Sequence, residues 1–199
     1  MNATEAQTGF RPVQEGTTIK TSLGGALTES LGALATIALG IIGLTAGGMA
    51  VTMAAIATII LGAAVWIEGG AFALTRAGRT QPLSAETRFL RWTEGFGAEF
   101  LGGIGAMVLG ILALLGVAPD SLLSIAALAL GGTFLLSSAA GFGAGSQPMF
   151  GLAGLVLGLL AVVGLDRMVL VLAALICLGA AALFNGAVRG ARMAEANRL

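Results

Sequence analysis

The sequence predicts an all-α polytopic integral membrane protein whose six transmembrane helices form three parallel helical-hairpin repeats. Three observations predict it. The chain is 57% hydrophobic and only 10% charged, whereas soluble domains carry about 25% charged residues. Its apolar residues gather into six runs of roughly the 17–25 residues that a helix needs to cross a bilayer core. The runs then pair through a Leu-Gly motif that recurs along the whole chain. They are apolar all round, without the alternation of a transmembrane barrel. Helices also satisfy their own backbone, which lipid does not.

Residues 1–26 read as a polar segment on the cytoplasmic side. They hold no apolar core of a signal peptide, so the first span is expected to act as an uncleaved signal anchor. Spans near 28–48 and 51–74 make the first hairpin, residues 27–75. Residues 76–96 read as a cytoplasmic loop with a short interfacial helix, capped by Ser84 after Pro82. There Phe89 and Trp92 face the membrane while Arg88 and Arg91 meet headgroups. The stretch reads first as a connector, and it is also the surface where a cytoplasmic partner could dock. Spans near 97–117 and 121–141 make the second hairpin, residues 97–141. Spans near 148–165 and 168–189 make the third, residues 147–189, and 190–199 is read as a tail. Every Lys and Arg except Arg167 falls on the side of the termini and the long loop. The positive-inside rule therefore places that side in the cytoplasm.

The motif stands at Leu39-Gly40, Leu109-Gly110 and Leu157-Gly158 in the odd spans. In the even spans it stands at Leu61-Gly62, Leu130-Gly131 and Leu178-Gly179. Residues four apart share a helix face. On the odd spans Gly32, Gly40, Gly102, Gly110, Gly154 and Gly158 make such a face of small residues. Packing, not hydrophobicity, drives helix association in lipid. The expectation is that each copy uses this face to close its own hairpin.

A second set of positions repeats with the motif. Glu29, Glu99 and Gln147 precede the odd-span glycine by one common interval. Glu68, Ser137 and Asn185 follow the even-span glycine by another. Odd spans begin in the cytoplasm and even spans end there, so all six form a candidate intramembrane polar cluster in the cytoplasmic half. Glu68 lies inside an apolar run, where a carboxylate is costly unless paired, hydrated or protonated. Glu29 and Glu99 fall near helix N-termini, which favour negative charge. Solvation or a neighbouring helix would also account for each of these groups.

Little else in the chain carries chemistry. It contains no histidine, no tyrosine and one cysteine, Cys177. The commonest general base and the commonest metal ligand are thus missing, and a disulfide within the chain is impossible. No catalytic residue, cofactor or metal site is expected. Nucleic acid is not an expected partner, because the basic residues are scattered among acidic ones.

The repeated segments LGIIGL, LGILAL and LGLLAV, spread over residues 28–189, resemble the HdeD family of small six-helix bacterial membrane proteins. The resemblance implies a bacterial inner membrane and an association with acid stress, and it brings no catalytic residues. The function expected is a non-enzymatic stress-related or accessory subunit that acts through helix packing. Its partners would be the lipid bilayer and a homo-oligomer or larger membrane complex. The alternative is a small-solute or proton-linked transporter or channel that uses the Glu68-centred cluster.

Overall fold

A computed structural model of the protein describes residues 13–77, 96–139 and 147–196, with side chains over 28–70, 98–138 and 148–188. These residues form six α-helices: α1 Val13–Thr45, α2 Ala50–Ala77, α3 Phe96–Leu114, α4 Pro119–Ala139, α5 Gln147–Val163 and α6 Arg167–Ala196. A single 3-10 turn, Gly47–Met49, joins α1 to α2. The stretches Thr28–Thr45, Gly47–Gly70, Pro119–Ser138 and Arg167–Val188 are long and apolar enough to cross a membrane. Ala98–Leu114 and Pro148–Val163 are apolar but shorter. The outward faces are apolar too: Leu31, Leu101 and Met149, equivalent in the three repeats, are 68%, 68% and 76% exposed. Such a surface suits lipid and not water. The chain is an all-α membrane protein.

Two helices differ from expectation at their ends. α1 starts at Val13, not near 28, and α6 runs to Ala196, past the expected end at 189. Hydropathy does not mark these extensions, since they are polar. A helix already nucleated in its apolar part extends without paying the nucleation cost again. The long-loop residues Arg88, Phe89, Arg91 and Trp92 lie outside the described residues, as do 1–12.

The far ends of the hairpins are tight. At the end of α3 the Val117 N–H donates to the Leu112 carbonyl (3.1 Å) and the Gly116 N–H to Ala113 (3.0 Å). This is a Schellman closure, which needs a left-handed residue; Gly116 supplies it at φ +82. Gly164 does the same after α5, at φ +104.

The six helices form a closed ring in chain order, each antiparallel to its neighbours, with α6 packed against α1. The even helices α2, α4 and α6 also touch one another across the centre, whereas the odd helices touch only their two neighbours. The three hairpins are therefore related by a pseudo-threefold axis.

Burial follows the same symmetry. Each odd helix buries one stripe of small residues: Ala33, Thr36, Gly40 and Gly43; Gly103, Ala106, Gly110 and Ala113; Gly151, Gly154, Gly158 and Ala161. These positions recur every three or four residues, one helical face. The stripe is a groove with no large side chain in it. The even helices supply the volume.

The repeated glycines do not all close their own hairpin. A Cβ on Gly40 would lie 2.6 Å from Ile176 of α6, and one on Gly110 would lie 2.7 Å from Ile59 of α2. One on Gly158 would lie 2.6 Å from the Leu128 amide nitrogen of α4. Ile59, Leu128 and Ile176 are equivalent positions. Each of these glycines thus faces the even helix of the preceding hairpin, with α6 preceding α1 around the ring. The even-helix glycines answer from the other side. A Cβ on Gly62 would meet the Gly103 carbonyl at 2.8 Å, and one on Gly179 would meet the Ala33 carbonyl at 3.1 Å. One on Gly131 would collide with the Leu155 amide nitrogen. By contrast Gly32, Gly102 and Gly154 face the even helix of their own hairpin, at Ala64, Thr133 and Leu178. The expectation that the whole small-residue face closes each hairpin is corrected accordingly. Half of it joins one hairpin to the next, because a ring helix has two neighbours and both approach closely.

The axis itself is filled. On each even helix a further buried stripe lies between the two seam faces. The hydrogen bond from Asn185 of α6 to Glu68 of α2 marks it as the inward face. It builds four successive layers that are almost wholly apolar: Ala54, Leu123 and Val171; Thr58, Ala127 and Leu175; Leu61, Leu130 and Leu178; Val65, Phe134 and Ala182. None of these twelve residues is more than 2% exposed. The one polar group, the Thr58 hydroxyl, is turned back on its own helix and donates to the Ala54 carbonyl (2.7 Å). Three of the layers mix larger and smaller residues, as close packing favours; the third is three leucines, of which Leu178 also packs on Gly154 of α5.

Candidate functional site

The fifth layer breaks the pattern. One step beyond Val65, Phe134 and Ala182 along each even helix stand Glu68, Ser137 and Asn185. Around them, from the odd helices, stand Glu29 and Glu99. All five lie in the interior, with Glu29, Ser137 and Asn185 at most 1% exposed and Glu68 and Glu99 at 4% and 6%. Gln147, the sixth expected member, opens α5, but its side chain lies outside the described residues.

Asn185 is the hub. Its Nδ2 donates to Glu29 Oε1 (3.2 Å) and to Glu68 Oε1 (3.3 Å). One amide therefore ties three helices, α6, α1 and α2. Its second polar atom, Oδ1, is buried and has no hydrogen-bond partner among the described residues. Glu99 is hydrogen-bonded to Ser137, and Glu29 is near enough for the two carboxyl groups to interact electrostatically. The five groups form one connected layer and not five separate helix-end decorations. Sequence spacing aligned the equivalent positions. It contained nothing that showed the sites of different hairpins meeting, since that depends on ring closure.

The layer does not mark the end of every helix. Beyond it α1, α2 and α6 run on to Val13, Ala77 and Ala196, while α3 begins at Phe96 and α5 at Gln147. Two aromatic pairs stand at the same level. Trp66 lies against Phe100 with centroids 6.2 Å apart, and Phe150 stacks on Phe184 at 5.9 Å and 17°. Trp66 and Phe184 are 40% and 53% exposed. Aromatic rings at one level on the outer face are typical of the membrane interface. The polar layer thus lies near one boundary of the apolar zone.

Among the described residues no three acidic, histidine or cysteine side chains come together as ligands for a metal ion. Cys177 is half-buried in α6, away from the layer. The arrangement offers carboxyl, amide and hydroxyl groups in a confined space. It suits hydrogen bonding and charge binding, and it includes one hydroxyl bonded to a carboxyl group, Ser137 with Glu99. Comparison with protein-family models, curated proteins and solved structures finds no match to the chain.

Proposed function

We propose that this is a non-enzymatic, HdeD-like membrane protein that acts through helix packing, as a stress-related or accessory subunit of a bacterial inner membrane. Both termini would face the cytoplasm. The observation that carries the reading is the filled axis. A conducting protein built on a ring needs a path that water or a solute can wet, and four apolar layers occupy the place where a central path would run. The lack of histidine and tyrosine supports a role without catalysis. The extended ends of α1, α2 and α6 reach beyond the ring and offer surface to a partner.

The test is purification of the tagged protein from its native membrane in gentle detergent, read by native mass spectrometry. Proteins that co-purify in fixed stoichiometry support an accessory role. A homogeneous species of this chain alone removes that support.

A second reading is favoured by one observation, the meeting of Glu29, Glu68 and Asn185 from three helices. In it the protein is a proton-linked or small-solute transporter with Glu68 as the charge-carrying group. Flux into proteoliposomes that vanishes in Glu68→Gln supports this reading, and flux that survives the substitution ends it.

A further inference from the structure

We propose that the lipid-facing wall of the ring is built for a thin bilayer. It fits a hydrocarbon core of about 25 Å, against the ~30 Å of an ordinary one, and it draws a thicker membrane down to that height. The inference goes beyond the proposed function and does not depend on whether the protein transports anything.

The wall has two marked edges. One is the level of the aromatic pairs, where Trp66 lies against Phe100 and Phe184 against Phe150. The other is the level of the hairpin turns. There Asp120, Asp166 and Arg167 are exposed, and charged groups are costly in hydrocarbon. An arginine at a helix end often stretches outward to reach headgroups. The Arg167 guanidinium instead lies back over the turn, 3.4 Å from where a Cβ on Gly164 would stand. Headgroups must therefore come to the turn.

Up to that edge the wall is apolar. Leu115 and Val163, equivalent at the ends of α3 and α5, are 72% and 71% exposed, and Val117 and Leu165 in the turns are exposed as well. Turns that stand in water favour polar residues. Leu165 is also the chain neighbour of Asp166. Hydrocarbon has to reach the one and headgroups the other, which fixes the far edge of the core at the turns themselves. A protein seated over the turns is the competing occupant. Lipid is favoured because the exposed residues continue the side wall without a break. Ile111 and Leu114 lead to Leu115, and Leu159 and Val162 lead to Val163.

The height follows from helix geometry. At 1.5 Å per residue, the rise from Trp66 to Ala50 along α2 and from Phe184 to Arg167 along α6 is about 24–26 Å. α5, with 17 residues, gives about 25 Å. Any tilt shortens these heights. α3 and α5 have no further apolar turn to offer, because the left-handed glycines Gly116 and Gly164 end them. A span shorter than its core is accommodated by thinning of the bilayer around it.

Lipid competition around the full-length protein tests the proposal. Trp92→Phe leaves Trp66 as the sole tryptophan. The protein is placed in phosphatidylcholines of stepwise longer monounsaturated chains, with cores from about 20 Å to about 35 Å. Brominated lipid of each length, mixed with one unbrominated reference lipid, quenches Trp66 according to its share of the protein surface. Relative binding is expected to peak near the lipid with a core of about 25 Å and to be about threefold weaker at about 35 Å. A peak at about 30 Å or above, or no dependence on chain length, overturns the proposal. Asp120→Leu combined with Arg167→Leu removes two charges from the far edge and is expected to move the peak to longer chains. A peak that stays in place means that those charges do not set the edge, and the proposal falls. If that variant does not fold, a spin label at Leu115→Cys in a Cys177→Ala background decides. In the bilayer of about 25 Å it is expected to be relaxed by oxygen and shielded from a water-soluble nickel chelate. Free access of the chelate places the turns in water, as a docking face for a protein, and ends the lipid assignment.

Discussion

The seams between hairpins and the seams within them are built differently. Between hairpins, glycines come up against backbone: Gly62 against the Gly103 carbonyl, Gly158 against the Leu128 nitrogen, and a Cβ on Gly110 or Gly179 would lie 3.1 Å from the Ala55 or Ala33 carbonyl, although the Ile176, Ile59 and Ile37 side chains lie nearer to Gly40, Gly110 and Gly179. Within hairpins, glycine meets side chain: Gly32 against Ala64, Gly102 against Thr133, Gly154 against Leu178. A side chain yields by changing rotamer, and a backbone atom yields only by moving its helix. The unit that repeats in the sequence is therefore not the unit that packs most tightly. The loop already holds the two helices of a hairpin together. No loop joins α6 to α1, so packing and the Asn185–Glu29 hydrogen bond hold that seam.

The sharpest way to break this contrast is a large side chain at a between-hairpin glycine. Gly110→Leu and Gly131→Leu are expected to cost about 3 kcal/mol or more and to leave little folded protein after extraction, measured by unfolding in a graded detergent mixture. Gly158→Ala adds a single methyl against the α4 backbone and is expected to cost about 2 kcal/mol on the same assay. Asn185→Ala comes next. It removes the amide that ties α6 to α1 and α2, at an expected cost of about 1–3 kcal/mol, and Glu68→Gln, which keeps a hydrogen-bonding group, is expected to cost less. Gly32→Ala, inside a hairpin, would place its methyl 2.9 Å from the Ala64 methyl and is expected to cost about 1 kcal/mol. At the bottom of the scale stands Gly105→Ala, whose new methyl enters open space and is expected to stabilise α3 by about 0.5–1 kcal/mol. If Gly32→Ala proves as damaging as Gly158→Ala, the two kinds of seam are not distinct.

Much of the ring was legible in the sequence, for a physical reason. Lipid forces apolar runs into helices, so the inner boundaries of the hairpins fell within a few residues of those observed; α4, expected near 121–141, is Pro119–Ala139. The equivalence of Glu29 with Glu99, and of Glu68 with Ser137 and Asn185, was also legible, because the repeats are in register. What was not legible is adjacency. A face of small residues records that some helix comes close, and not which one. Gly40 could not reveal that it packs on Ile176, far along the chain, because nothing local distinguishes that neighbour from α2. The extents of α1 and α6 escaped for another reason: polar residues at 13–27 and 190–196 obey no hydropathy rule, and helix propensity alone is a weak signal.

The unequal layers along the axis have a consequence for descent. Three separate copies of one hairpin, assembling around the same axis, would have to place three identical residues at every level. At the level of Val65, Phe134 and Ala182 that means three phenylalanines or three alanines, a crowd or a hole. At the outer level it means three glutamates, three serines or three asparagines facing one another. Joining the hairpins in one chain releases each copy from that constraint. A bulky residue in one can be answered by a small one in another, and a carboxyl group can be met by an amide. The polar hub exists in this form only because the three copies are free to differ, and no single hairpin of this protein contains the information to rebuild it.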